Sequence, residues 1–257
     1  MRLTDEQWVL LAPFLTPPEK TTKRGRPRRD DRTLLEGILW VLRTGAQWEK
    51  LPRSDYPPKS TCFARFQEWN DRNVFPAVLG QLYELLEDRG LLDLREAFID
   101  GTFSAAKKGA RMFGPTKKGK GTKIMIMVDA NGTPLAVHTD SASPAEVKLV
   151  QDTLDASFGF DFPERLIGDK AYDSDGLDAD LTEIGIEMIA PHRKNRKRKT
   201  QDGRPLRRYK RRWKVERTIA WLQSFRRVRT RDERKAQHFL GFVQLACILI
   251  LLRQISG

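Results

Sequence analysis

Residues 122–140 read TKIMIMVDANGTPLAVHTD, two apolar runs on either side of an Asn131-Gly132 pair. Asn-Gly allows the positive φ angles of a tight turn whose twist matches that of antiparallel strands, so the stretch predicts a β-hairpin. Working outward, AFIDGTF (97–103) reads as a further strand, with Phe98, Asp100 and Thr102 on one face and Ile99 and Phe103 on the other. Downstream lie an amphipathic stretch, PAEVKLVQDTLD (144–155), and a short apolar strand, RLIGD (165–169). A helix over 177–184 follows, with Leu177, Leu181 and Ile184 on one face, then a strand, IEMIAP (186–191). A long basic helix over 206–224 and an apolar closing helix end the chain. Three strands, a helix, a strand, a helix, a fifth strand and a helix make an α/β order with a mixed sheet.

Upstream the texture is different. Apolar residues recur at helical spacing in 7–14, 33–45 and 60–90, and proline-rich punctuation stands at 16–30 and 51–60. This predicts a small all-α domain over 1–92 ahead of an α/β domain over 93–257. Thr4 and Gln7 form a capping-box pair at the first helix, and no basic-plus-apolar leader precedes it. The run FLGFVQLACILILL (239–252) is shorter than the roughly 20 residues that span a bilayer, and Gln244 interrupts it. It is expected to be a buried helix, with no membrane partner. Cys62 and Cys247 show no CxxC or Cys/His spacing, which argues against a disulfide framework or a zinc site and fits a reducing interior.

The formal net charge is +13, and its placement is informative. Residues 191–235 hold 20 Lys/Arg against four Asp/Glu, net +16, so the rest of the chain sums to −3. A roughly neutral body with one intensely basic segment is suited to a polyanion, with nucleic acid first.

Three acids stand out. Asp100 lies within a strand beside Gly101, whose lack of a side chain would let a ligand approach the backbone. A carboxylate in a sheet interior is unfavourable by several kcal/mol unless paired or bound to a metal. Asp169 ends the apolar RLIGD strand, at the carboxyl edge where α/β sheets collect ligands. The DSDG that follows resembles the end of a calcium loop, but that alignment puts Ala171 and Thr182 at ligand positions, so Asp173 or Ser174 reads as a helix N-cap. Glu216 shares a helix face with Tyr209, Arg212, Ala220 and Gln223, and Arg212 one turn back could pair with it. If the first and fourth strands are neighbours, about 4.8 Å apart, and the last helix crosses their ends, the three carboxylates converge. Oxygen-only ligands of this kind suit two Mg²⁺ or Mn²⁺ ions and phosphodiester chemistry.

The element order is also that of the ribonuclease H-like fold. Together, AFIDGT, the hairpin through ASPAEV, LIGDKAYDSD, PHRKNRK and YKRRWKVERTIAWLQSFRR resemble the DDE transposases of bacterial insertion sequences, in the IS-five group, along nearly the whole chain. The resemblance implies a ribonuclease H-like five-stranded sheet with flanking helices, and a DDE triad at Asp100, Asp169 and Glu216, each a metal ligand. It also implies cleavage of double-stranded DNA at the element's inverted-repeat ends and transfer of the freed 3′-hydroxyl into target DNA, with no covalent enzyme intermediate. Tyr172 as a covalent nucleophile is disfavoured, since His138, His192 and His238 include no adjacent pair to hold a metal for such nicking. A bacterial cytoplasmic protein at the nucleoid, joining two ends as a homodimer, follows from the same resemblance. In the family's signature helix Tyr209, Arg212 and Glu216 match, whereas Gln223 stands where lysine is usual, with Arg226 or Arg227 one turn later as replacements.

Other cations fit DNA contacts. Arg24, Arg26 and Arg28, in KRGRPRR (23–29), resemble a minor-groove arm, although a solvated linker has the same composition. Helices over 31–43 and 60–70 resemble a helix-turn-helix with Arg65 and Gln67 exposed and Phe63, Phe66 and Trp69 in the core. Arg193, Lys194, Arg196 and Lys197, with Arg208 on the basic helix, would track phosphates. A DNA-binding regulator without catalysis, or a nuclease of the same fold that cuts without joining, would share many of these features.

Overall fold

The structure is a computed structural model and describes residues 2–16, 28–107, 114–116, 119–196 and 205–256. The sheet is built on the predicted hairpin. Strands β1 (Ala97–Ala106), β2 (Gly114–Thr116), β3 (Gly119–Asp129), β4 (Pro134–Ser141), β5 (Arg165–Ile167), β6 (Glu187–Ile189) and β7 (Thr230–Arg231) form one sheet. Its main order is β4-β3-β1-β5-β6, with β2 against the start of β3 and β7 against the end of β1. β3 runs antiparallel to β1 and β4, while β5 and β6 run parallel to β1. This is a ribonuclease H-like mixed sheet. The predicted five strands are present, and β2 and β7 are short additions not read from the sequence.

The turn between β3 and β4 has a specific cause. Gly132 has φ 88°, which a Cβ-bearing residue rarely adopts. Buried Asp129 accepts hydrogen bonds from the N–H groups of Asn131 (2.8 Å), Thr133 (2.7 Å) and Asp93 (2.9 Å). Alternation then sorts the two faces. Phe98, Ile124, Ile126 and Val128 enter one core, and Ile99, Met125 and Met127 enter the other.

Four helices, α1 (Asp5–Leu15), α2 (Asp31–Thr44), α3 (Lys59–Asp71) and α4 (Val74–Asp88), precede the sheet. The Thr4–Gln7 capping box starts α1 as expected. The sheet is interleaved with α5 (Val150–Asp155) and α6 (Asp175–Glu183), and the chain closes with α7 (Trp213–Ser224), α8 (Arg226–Arg229) and α9 (Ala236–Ser256). In α6, Leu177 and Leu181 are buried, but Ile184 lies beyond the helix end and is largely exposed. α9 is apolar around its circumference because it is enclosed: α4 and α3 pack on it from the helical side and β4 from the sheet. By length and composition it could also cross a membrane, yet most of it is buried here. Phe66 of α3 stacks on Phe242 of α9 with ring centroids 4.4 Å apart, and Trp69 donates from Nε1 to Leu15 O at 3.0 Å. One hydrophobic core therefore runs from α1–α4 through α9 to the α7 face of the sheet. Both cysteines are free and buried.

Because Phe66 is fully buried within this aromatic layer, Phe66→Ala is expected to lower stability by about 3–5 kcal/mol. Urea denaturation should show a lower midpoint with the slope unchanged.

Candidate active site

Asp100 and Asp169 come together because of where the strands stop. β5 ends at Ile167, paired through Leu166 and Ile167 to Ala97 and Phe98, and β7 first meets β1 at Ala105. Between those points this edge of β1 carries no strand among the described residues, leaving a notch with Asp100 at its middle. Asp169 follows β5 directly into the notch and caps the 3-10 turn Lys170–Tyr172, accepting from Ala171 N at 2.6 Å.

Asp100 lies on the sheet face of Phe98, with which alternation grouped it, and this is the face that α7 covers. Its Oδ2 accepts from Arg212 Nη2 at 2.6 Å and its Oδ1 from Gly101 N at 2.9 Å. Burial pushes the Asp100 carboxyl up; Arg212 and the Gly101 N–H offset only part of that, and nearby Asp169 adds to the rise. Burial works against the Arg212 charge, but Asp100 foremost, with Tyr209 and Asp169, holds the guanidinium more firmly protonated than usual. Nη1 of the same guanidinium lies 3.6 Å from Glu216 Oε1. Glu216 itself is 58 % exposed. The three predicted acids are thus ranged about one guanidinium, and Arg212 stands between Asp100 and Glu216. No group of three His, Cys, Asp or Glu side chains among the described residues is gathered tightly enough to hold an ion as it stands. The donor atoms are all carboxylate oxygens, hard ligands that match Mg²⁺ or Mn²⁺ in chemistry.

The long helix predicted over 206–224 is broken. Pro205–Arg211 is a 3-10 helix, and α7 begins at Trp213. In a 3-10 helix residues three apart eclipse one another, and here both Arg208 (Nε at 2.7 Å) and Arg211 bind Glu96 Oε1. The sheet fixes α7 by gripping the hairpin turn: Lys214 Nζ donates to Ala130 O, Arg217 Nη2 to Asn131 O (2.7 Å) and Thr218 Oγ1 to Gly132 O (2.7 Å). Gln223, on the same face as Glu216, donates to Thr102 Oγ1 at 3.0 Å.

Several predicted DNA-facing cations are used internally. Arg65, expected to be exposed, is buried: it pairs with Asp31 and with Glu68 and lies 5.8 Å from the Trp69 ring centroid. Burying that long side chain requires the two acids, which the helical spacing of α3 alone did not reveal. Arg28 pairs with Asp31 (3.0 Å) and Glu68 (3.1 Å). Arg227 is buried on Glu233 (2.6 Å) and Asp232 (2.8 Å) and donates to Ala46 O, which ties α8 to the end of α2. It is therefore not placed to stand in for a lysine at position 223, whereas Arg226 is exposed. Arg193 donates to Lys170 O and Ala171 O, and Lys194 is exposed. Tyr209 accepts from Arg212 at 3.5 Å. Arg24, Arg26 and Lys197 lie outside the described residues.

Two acids were missed or misread. Glu146 lies against Gly101, so the space beside Asp100 expected to admit a ligand is filled by a side chain: a Cβ on Gly101 would come 2.6 Å from Glu146 Oε1. Burial, with Asp100 next, raises the Glu146 carboxyl. The only hint of it in the sequence is an acid following the third strand. The N-cap of α6 is Ser174, and Asp173 instead anchors the basic segment, accepting from Arg193 N (2.7 Å), Arg196 Nη1 (2.5 Å) and the His192 ring (3.0 Å).

Burial would raise the Asp173 carboxyl, but Arg193 N–H, His192 and Arg196 together bring it below the usual carboxylate range. A depressed carboxylate pKa stabilises above the unfolded value and loses that contribution as pH falls through the folded value. Anchoring of residues 192–196 is accordingly expected to be intact at neutral pH and lost in strong acid. Asp173→Asn should loosen it at neutral pH by about 1.5–3 kcal/mol. Faster hydrogen exchange at the Arg193 amide, with β1 unaffected, is the readout.

Comparisons with known proteins identify the family and agree with the fold. Residues 3–79 match a family model described as "Putative transposase of IS4/5 family", and residues 92–251 match one described as "Transposase DDE domain". The chain is 36 % identical over 173 residues to a Burkholderia cepacia protein named "Putative transposase for insertion sequence element IS402", covering 63 % of this chain and 77 % of that one. It is 31 % identical over 132 residues to a Brucella ovis protein named "Putative transposase for insertion sequence element IS6501", covering 51 % of this chain and 98 % of that one. In fold it is similar to the piggyBac transposase in a synaptic complex with hairpin DNA, with TM-score 0.53, 13 % identity, and 98 % of this chain and 73 % of that one covered. With its ribonuclease H-like sheet and a DDE-domain match over most of its length, the chain belongs to the DDE transposases of bacterial insertion sequences, divalent-metal-dependent enzymes of DNA cleavage and strand transfer.

Proposed function

We propose that Asp100, Asp169 and Glu216 are the catalytic triad of this transposase and hold two divalent ions, Mg²⁺ or Mn²⁺. The observation that carries the reading is the arrangement of these three acids, far apart in sequence, around Arg212 at a break in the sheet edge. When bound, such ions activate an attacking oxygen and stabilise the departing one in phosphodiester cleavage. Asp100 and Asp169 form the fixed side of the site, on the sheet. Glu216 closes it from α7, and Arg212 moves from Asp100 and Glu216 to a DNA phosphate as the site fills. With the guanidinium gone, the oxygens it held and the negative charge it balanced are open to a cation.

Double-stranded DNA is the partner, both as inverted-repeat ends and as target. The exposed cations Lys194, Arg207, Lys210 and Arg226 provide its first contacts, while Arg193, Arg196, Arg208 and Tyr209 set the shape of that surface. Arg28, with Arg24, Arg26 and Lys197, extends it, and Arg65 and Arg227 support it from within. The division into a helical DNA-recognition part over 1–92 and a catalytic part over 93–257 fits this assignment. We place the protein in the bacterial cytoplasm at the nucleoid, as a homodimer on paired ends, with α9 as a core helix rather than a membrane span.

The test is incubation with Mg²⁺ and DNA carrying the inverted repeats that border its gene. The wild-type protein should cleave and join, and Asp169→Asn should abolish both while leaving DNA affinity within about twofold, since the lost group is acidic and contacts no phosphate directly. Cleavage by Asp169→Asn would refute the triad. Binding without cleavage by the wild-type chain would instead mark a regulator, and cleavage without joining a nuclease.

A further inference from the structure

Glu146 opens a single 3-10 turn, Glu146–Leu149, which follows β4 and packs against the turn that Asp169 caps. Asp100 faces α7, and Gly101, the next residue, turns its bare position to the opposite face, where Glu146 lies. No strand pairs with the edge of β1 between Phe98 and Ala105 among the described residues, and the Asp100 and Asp169 carboxylates both lie near enough to add to the rise that burial causes in that of Glu146.

The partners of Glu146 leave one oxygen uncommitted. Tyr172, fully buried, donates from its hydroxyl to Oε2 at 3.2 Å. Lys123 Nζ gives a hydrogen bond to Pro144 O at 2.5 Å and stays 3.9 Å from Oε1. Oε1, against Gly101, accepts no hydrogen bond among the described residues. A glutamine would serve Tyr172 equally well, so that hydrogen bond does not explain a charge, and the ion pair of Oε1 with Lys123 offsets only part of the rise that burial and Asp100 cause. A third carboxylate beside Asp100 and Asp169 repels both in an ion-free protein. Such an arrangement is unfavourable alone and favourable around a cation.

We infer that Glu146 is a fourth carboxylate of the cation site, offering Oε1 from the face of the sheet opposite α7. This rests on the reading of Asp100 and Asp169 as cation ligands. Tyr172 orients the carboxylate by holding Oε2, and Gly101 is required because any side chain there would displace it.

The test is Mn²⁺ titration of the full chain bound to duplex DNA carrying its terminal repeats, followed by calorimetry and by water-proton relaxation against the same DNA alone, with the melting temperature of the DNA-free chain measured in chelator. Glu146→Gln should weaken Mn²⁺ binding on the order of tenfold, while the metal-free melting temperature stays level or rises as the repulsion is relieved. If Asp100→Asn weakens binding and Glu146→Gln does not, the inference is overturned and the triad reading stands. If the wild-type complex takes up no Mn²⁺ beyond that of the DNA alone, or neither Asp100→Asn nor Asp169→Asn weakens binding, both fall. Should Glu146→Gln lower the metal-free melting temperature, Glu146→Asp decides: partial recovery of Mn²⁺ affinity supports the inference, and none refutes it.

Discussion

A single guanidinium organises this protein's site. Arg212 reaches into the broken edge of β1 and satisfies Asp100, whose burial would otherwise be unfavourable, while its other arm faces Glu216. Its position is set by neighbours on either side in sequence. Glu96 draws Arg208 and Arg211 into a 3-10 turn, so the chain enters α7 at Arg212; the β3–β4 turn then holds α7 through Lys214, Arg217 and Thr218. The hairpin, the helix break and the acid pair are therefore one mechanical unit.

This unit explains how acidic side chains are accommodated at a broken sheet edge. Charge in a partly buried notch must be balanced, and a covalently attached cation balances it without closing the site permanently. In the proposed reading, DNA phosphates compete for Arg212, which couples DNA binding to ion loading. The same logic applies to the basic segment. Many of its cations are committed to acids within the fold, as with Arg208 on Glu96, Arg196 on Asp173 and Arg227 on Glu233. Net charge is thus a poor measure of the surface left for a polyanion, and exposed residues such as Lys194, Lys210 and Arg226 weigh more.

Much of the fold was legible because its signals are local. Apolar alternation and Asn131-Gly132 announced the hairpin, and the side of β1 on which Asp100 lies followed from a period of two. What stayed hidden depends on contacts between distant residues. Arg65 is buried because Asp31 and Glu68 meet it, Arg227 because Glu233 and the end of α2 do, and the break before α7 because Glu96 lies opposite two arginines. Glu146 was invisible for a related reason: its meaning comes from Gly101, a residue with no side chain to suggest a partner. The pairing of Arg212 with Glu216 could be read from helical spacing, but not its bond to Asp100 on a strand distant in sequence.

The central claim is that Asp100, Asp169 and Glu216 enclose divalent ions once Arg212 has moved to DNA. Crystals of the protein with Mn²⁺ and DNA bearing its terminal repeats, measured for anomalous scattering, test it most directly. The account predicts manganese peaks within bonding distance of oxygens of all three acids, with Arg212 on a phosphate. Peaks remote from Asp100 and Asp169, or a Glu216 turned to solvent with the DNA in place, would contradict it.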